Sequence, residues 1–506
     1  MSRKLYFLFA LAALAIAACN TASGYKLGGT VSGLGGGKAL VLEEATSGQT
    51  LTVNTNGSFT FSQGLQKGAS YQVVVNTPPQ AQSCVVENAG GVINADVSDV
   101  RVSCGDSGSL DTSFGSAGST ITPLVSLAAQ AKAMVALADG RLLAAGEKAG
   151  GSYPDLALAR FDVDGALDTS FGSAGRVVED LSSTSRANAL LVGDDGTVVV
   201  GGSVYGSDSD FLLIRYTAGG QRDGGFGAGG LVRTGFGSGS HDYLRALLPL
   251  PDGRLLAGGR SGDGFALARY KTDGSLDSGF GAGGRVRTPM GSGGVGVYAM
   301  ALQADGKVVA VGKQYSTVSG HHSGQFAVAR YLPSGQLDTG FGGGSGYVLL
   351  DYAGKNDAAH AVALLPDGKI VVAGQAADSS GQGFPALVRL NADGSLDASF
   401  GSGGWRVLSS VPTGALYALA LQPDGKLLLA GNAPDASFSY AAFLLARLLP
   451  DGGLDPEFGD GGLSTTEFGG DAWIRALVLQ PDGRIVVAGY ANGASSEGFA
   501  LARYWP

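Results

Sequence analysis

Cysteine, histidine, glutamate and clustered positive charge are all scarce in this chain, and each scarcity closes a route. Three cysteines and four histidines among 506 residues cannot build a disulfide-dense scaffold or a repeated Cys/His metal framework. The formal charge is −9, and no block of lysine and arginine follows Arg3 and Lys4. Nucleic acid, held mainly through phosphate neutralisation, is therefore not an expected partner. From residue 106 onward the glutamates are Glu147, Glu179, Glu457, Glu467 and Glu497, and no cysteine occurs. A thiol nucleophile is absent there, and a carboxylate pair would have to draw on aspartate. No metal or cofactor is expected.

What is present begins with an apolar run. Leu5 to Ala18 follows two basic residues and is too short to span a bilayer comfortably, which predicts an export signal over 1–18. It ends on Ile16-Ala17-Ala18-Cys19, which resembles the bacterial lipobox, so Cys19 is the expected lipidation site and residues 19–24 a tether. Multiple acyl chains on one cysteine anchor stably, and the membrane becomes an expected partner. The predicted location is the cell envelope, outside the cytoplasm. With Cys19 committed, Cys84 and Cys104 are left to pair, a bond that would contribute about 3 kcal/mol.

Residues 25–105 carry short alternating runs, ALVLE, SFTF and YQVVV, between GLGGGK, TNG and KGAS turns. This predicts a small antiparallel β-sandwich containing the disulfide. GLGGGKA lacks phosphate-loop spacing and has Ala39 where a hydroxyl is needed, so it reads as a turn.

From 106 to 506 a unit of roughly sixty residues recurs, the mark of a repeat fold. Its phrase is A-L-A-L-x-P-D-G-K-I-V-V-A-G, a variable gap, then F-A-L-A-R-Y-x-x-D-G-x-L-D-x-x-F-G-x-G-G. The turn glycines Gly140, Gly196, Gly253, Gly306, Gly368, Gly425 and Gly483 count seven units. Each divides into strands A (ALAL), B (IVVAG), C (FALARY) and D (after FGxGG), with a tight turn between A and B. B and C are apolar on consecutive residues, so both faces must be covered. The expected fold is all-β: a seven-bladed β-propeller of four-stranded blades, preceded by the sandwich.

An arginine near the end of strand C is followed eight residues later by an aspartate: Arg160 and Asp168, Arg215 and Asp223, Arg269 and Asp277, Arg330 and Asp338, Arg389 and Asp397, Arg447 and Asp455. These are expected to pair within a blade and fix register, since desolvation offsets most of their attraction. Phe114, Phe171, Phe226, Phe280, Phe341, Phe400 and Phe458 are expected to fill the gaps between blades. Arg503 has no aspartate after it and Asp111 no arginine before it; a ring closed by an N-terminal strand would pair them. The phrase resembles the bacterial delta-60 repeat family, which implies a propeller on an exported protein and little chemistry. The unit around Arg222 departs from it, with arginine where leucine is usual.

The A–B and C–D turns are uniform, whereas the B–C and D–A connections vary, and variable loops on a rigid scaffold are where binding usually resides. They hold Tyr153, Tyr205, His241, Tyr315, His321, His322, Phe438 and Tyr440, candidates for contacting a glycan or a protein. His321 and His322 lack a third ligand at recognisable spacing. The leading reading is a non-catalytic binding or scaffolding platform. A carbohydrate-active hydrolase or lyase and a purely structural envelope protein remain open, and oligomeric state is not legible.

Overall fold

The computed structural model describes residues 24–506 apart from 125–128, 150–153, 207, 238, 292, 319–320 and 494–496, and apart from the side chains of 316–318, 321 and 322. The expected signal peptide 1–18, Cys19 and the tether up to residue 23 lie outside the described residues, as does Tyr153. Among the described residues no helix is long and apolar enough to cross a membrane.

Two compact units form, one reaching Pro78 and adding Val86–Ser103, the other comprising Pro79–Val85 and Cys104–Pro506. The first is built on two sheets, one with Gly57–Thr60, Leu27–Ser32 and Val97–Asp106 in spatial order, the other with Gln49–Val53, Leu40–Glu44, Ser70–Thr77 and Gly90–Val92. Alternate residues such as Leu40 and Leu42, and Val100 and Val102, are buried while Val41 and Arg101 between them are more exposed, as half-covered sheets require. The module is not wholly antiparallel: Leu27–Ser32 and Val97–Asp106 run parallel, with Val31 opposite Val102. They stand at opposite ends of the module's sequence, so no short hairpin forces them antiparallel. Cys84 and Cys104 are joined by a disulfide across 20 residues, both within the second unit.

The second unit is a seven-bladed propeller, each blade a four-stranded antiparallel sheet in the order A-B-C-D. Blade 1 consists of Ala129–Ala136, Leu142–Lys148, Asp155–Phe161 and Arg176–Glu179. Strands A of blades 2 to 7 are Ser185–Val192, Asp242–Pro249, Val295–Leu302, Ala358–Leu364, Ala415–Leu421 and Ala472–Leu479. Each packs on the strands A of both neighbours, and the last returns to the first, so the A strands ring the axis. Strand C of blade 3, Gly264–Tyr270, is buried at every residue, because neighbouring blades cover both faces. Blade 7 takes its outer strand from the start of the propeller: Ser119–Thr122 pairs with Glu497–Tyr504, Thr122 opposite Phe499.

The Arg–Asp motif is a latch. Arg160 Nε donates to Asp168 at 2.6 Å, Arg389 to Asp397 at 2.7 Å, and Arg503 to Asp111 at 2.8 Å. The pair reaches beyond its own blade, since Nη1 of Arg160 donates to the Ala218 carbonyl and that of Arg389 to the Pro450 carbonyl of the following blade. Each guanidinium also lies 4.5 to 4.9 Å from the centroid of its blade's phenylalanine, from Phe114 through Phe458. That ring is buried against the next blade's Asp-Gly turn, where a Cβ on Gly394 (φ 89) would stand 2.8 Å from Phe341. A second cation from the A–B turn reaches the same carboxylate, as Lys369 does to Asp397 at 3.0 Å and Arg484 to Asp111 at 2.9 Å. The Ser399 hydroxyl, with Lys369 and Arg389, holds Asp397 well below the usual carboxylate range against the opposing effect of burial. Blade 2 has Thr197 in place of that second cation, and Asp223 keeps Arg215 alone while Arg222 turns to Glu179.

The segment GKQYSTVSGHHSGQ is not the long loop the sequence suggests. It is a hairpin in which strand B runs Val308–Val318 and strand C His321–Tyr331, with Gln314 opposite Gln325. Extra residues added symmetrically about a turn extend the ladder instead of leaving backbone groups unpaired.

Candidate functional site

Every strand A breaks register once, at the same place. The shift falls between Ala131 and Ala133, Ala187 and Ala189, Leu244 and Ala246, Val297 and Ala299, Ala359 and Ala361, Leu416 and Ala418, and Ile474 and Ala476. These are β-bulges, and the unpaired residue in each is Lys132, Asn188, Arg245, Tyr298, His360, Tyr417 or Arg475. A bulge interrupts in/out alternation and re-aims one side chain, and here the re-aimed residue is polar or aromatic between two apolar neighbours. Strand B answers with a glycine opposite the residue before each bulge. A Cβ on Gly146 would stand 1.8 Å from the Gln130 carbonyl, on Gly374 1.9 Å from that of Ala358, and on Gly489 1.9 Å from that of Trp473. The glycine of the V-A-G phrase is thus required by the bulge.

The bulge residues meet from blade to blade. Arg245 lies 4.7 Å from the centroid of Tyr298, Tyr298 is 5.2 Å from His360, His360 4.9 Å from Tyr417, and Arg475 4.3 Å from Tyr417. Asn188 donates to the Leu244 carbonyl at 2.7 Å. Lys132 and Arg186 share Glu147, at 2.9 and 2.8 Å. Burial lowers the Lys132 ammonium, with Arg186 and Arg245 acting the same way and Glu147 opposing. Burial, followed by the charges of Arg475, Lys313 and Arg245, pushes His360 down to about 3, so the ring stays neutral near pH 7.

Beside this ring a cavity of about 340 Å³ opens across blades 2 to 4. Tyr205, Tyr243, Tyr298 and Tyr315 line it with Arg245, Arg260 and Lys313, and among the described residues no carboxylate does. Its residues come from the starts of A strands and the ends of B strands, which places it on the face of the variable connections. Arg260 donates to the Gly262 carbonyl at 2.8 Å and Lys313 to Asn356 at 2.6 Å. Among the described residues, none of Arg245, Arg260, Lys313 and Arg475 has a carboxylate at ion-pair distance; Glu147 serves Lys132 and Arg186. A cavity of about 330 Å³ at the opposite face, between blades 3 and 4, is lined by Leu250, Pro251, Leu302 and Pro333. Its cations, Arg254 and Arg269, are already bound to Asp277.

The candidates named from sequence are scattered. Tyr205 and Tyr315 lie on strands, not loops, and share the cavity. His321 and His322 also lie on a strand, with their side chains outside the described residues. His241 is exposed before strand A of blade 3. Phe438 and Tyr440, 72% and 51% exposed, sit in the B–C turn of blade 6. Among the described residues no three His, Cys, Asp or Glu side chains group as a metal site. Sequence reasoning missed the bulge ring, although A-K-A, A-N-A, L-R-A, V-Y-A, A-H-A, L-Y-A and I-R-A recur one per unit. An isolated glycine in a strand signals a bulge, and the V-A-G glycine was that signal.

Fold and latch define a seven-bladed β-propeller repeat protein. Residues 137–171, 194–226, 250–280, 303–341, 365–400, 422–458 and 480–506 match the family model described as "Domain of unknown function (DUF5122) beta-propeller", one match per blade, so the chain belongs to a β-propeller repeat family. No curated protein matches it. Similar solved structures include Sqt1 of Chaetomium thermophilum bound to the N-terminus of ribosomal protein L10 (11% identity, 75% of this chain and 97% of that one, TM-score 0.41). A Lactobacillus plantarum protein (13%, 72% and 96%, 0.43) and Drosophila Plexin A in complex with Semaphorin 1b (10%, 77% and 86%, 0.37) are also similar.

Proposed function

We propose that this chain is a cell-envelope lipoprotein, anchored through Cys19, whose propeller is a binding platform with its site at the axis on the face of the variable connections. The observation that carries the binding reading is the continuous contact of Arg245, Tyr298, His360, Tyr417 and Arg475 through five blades. Seven separate insertions of a polar or aromatic side chain between apolar neighbours, each with a glycine opposite the residue before it, lower the regularity of the blades and create a chemically distinctive surface. The absence of a carboxylate from the cavity lining favours binding over a glycosidase, which needs a pair of acids.

Two measurements test this. Fractionation should find the wild-type chain with membranes and Cys19→Ser in the soluble fraction; Cys19→Ser remaining with membranes would remove the anchor. Soluble Cys19→Ser chain exposed to glycan arrays and envelope extract should retain a ligand that Tyr298→Ala loses and Phe438→Ala keeps. No retained ligand, or loss only with Phe438→Ala, would move or abolish the site.

A further inference from the structure

The lining of the cavity across blades 2 to 4 selects for one kind of chemistry. Its side-chain polar atoms are the N–H groups of Arg245, Arg260 and Lys313 and the hydroxyls of four tyrosines. Cations only donate hydrogen bonds. A neutral, hydroxyl-rich molecule could donate to the tyrosine oxygens but would leave the cations without a counter-charge. An acceptor-rich anion fits, and planar guanidinium groups match a carboxylate in two-point geometry. The lining cations make the surroundings positive: Arg245 lowers both Lys132 and His360, and Lys313 acts on His360 as well, while Asp357 opposes the effect of burial at Lys313. An anion placed among them is favoured by that positive field.

The tyrosines narrow the choice. Tyr205 and Tyr243 stand 5.6 Å apart at a 48° tilt, Arg186 lies 5.4 Å from the centroid of Tyr205, and Lys313 4.4 Å from that of Tyr315. They combine flat apolar faces with hydroxyl tips, a wall for a ring that has an apolar face and a polar edge. A volume of about 340 Å³ suits a small ring ligand, at the lower end of small-molecule pockets. The side chain of an acidic peptide would reach the cations but leave the ring faces uncovered.

We infer that this cavity binds an acidic saccharide, its carboxylate held by Arg245 and Arg260 and its ring face against the tyrosines. The inference rests on the binding-platform reading and names its ligand class. Arg245 and Tyr298 are bulge residues, Tyr205, Arg260, Lys313 and Tyr315 lie on B strands, and Gly296, paired with Lys313, leaves room beside Arg260, whose side chain a Cβ there would meet at 3.3 Å.

Isothermal titration of the full Cys19→Ser chain tests it with di- and trisaccharides of glucuronate and galacturonate, glucose oligomers of equal length, inorganic phosphate, and a glutamate-rich peptide. The expected result is uronate binding at least tenfold tighter than any other arm, weakened tenfold or more in Arg245→Gln, Arg260→Gln and Tyr298→Leu. Arg287→Gln, which alters the exposed pair with Asp263, should bind as the parent does. Arg260 is exposed, so its variant keeps the test valid should a more central substitution impair folding. Absent uronate binding, phosphate or peptide binding of equal strength, or indifference of Arg260→Gln would overturn the inference. If uronates fail while envelope extract still yields a ligand that Tyr298→Ala loses, the platform reading stands and the saccharide does not.

Discussion

Arg503 Nε lies 2.8 Å from Asp111 Oδ2, across a sequence separation of 392 residues, and Arg484 reaches the same carboxylate at 2.9 Å. This one contact joins the last strand C of the ring to the segment that supplies its outer strand. Arg503 also donates to Val163 in blade 1 and to Ser113 at 2.9 Å.

Removing one partner of a buried ion pair leaves the other charge uncompensated, a cost of about 3–5 kcal/mol. Asp111→Asn takes the carboxylate from both Arg503 and Arg484 and should lower the unfolding free energy by about that amount in urea titration, with Arg503→Leu costing less because Arg484 still holds Asp111. Asp223 has one cation and a 25% exposed side chain, so Asp223→Asn should cost clearly less. Equal losses at the two positions would contradict the latch as described.

Gly374→Ala should disturb the bulge that presents His360. The added Cβ meets the Ala358 carbonyl at 1.9 Å, and backbone cannot yield as a side-chain tip does. A destabilisation of about 1–3 kcal/mol or more is expected, together with loss of near-ultraviolet circular dichroism from the Tyr298–His360–Tyr417 contacts. Preservation of both would mean the glycine has another cause.

His360 gives stability a defined pH slope. Its pKa falls from 6.5 to about 3 on folding, so the unfolded chain takes up a proton as pH drops through 6.5 while the folded chain does not until near 3. Stability from this group is present above pH 6.5 and is lost progressively below it. Asp357 acts with opposite sign: burial, aided by Asp351, pushes it up to about 6 from 3.8, against backbone donors and Lys313, and its contribution declines as pH rises through that window. Comparing wild type with His360→Gln cancels Asp357, and the difference should shrink steadily from pH 7 to pH 4. A difference independent of pH would show that His360 titrates normally.

Reducing the Cys84–Cys104 disulfide releases a 20-residue loop, which the chain-entropy relation values at about 3 kcal/mol. Dithiothreitol should lower the denaturation midpoint accordingly, and Cys84→Ser with Cys104→Ser should match the reduced chain. No shift would mean the loop is already ordered in the unfolded state.

The blade plan was legible because the repeat states it seven times. Apolar runs without alternation required cover on both faces, and an unmatched Arg503 with an unmatched Asp111 required a ring. The parallel pairing of Leu27–Ser32 with Val97–Asp106 was not legible, since alternation gives a strand's faces and not its neighbour's direction. Nor was the extended hairpin ending at Val318 and His321, whose polar residues read as loop until pairing was known. For the site, Tyr205 and Tyr315 were named as separate loop aromatics, while the residues that join them to the axis passed unnoticed.

Local chemistry alone therefore determined strands, turns, blade number and the partners that fasten each blade, because those depend on spacing along the chain. The axial surface was decided by tertiary structure. Lys132, Asn188, Arg245, Tyr298, His360, Tyr417 and Arg475 lie roughly sixty residues apart in sequence, and only closure of the A strands into a ring turns one bulge per blade into a single surface.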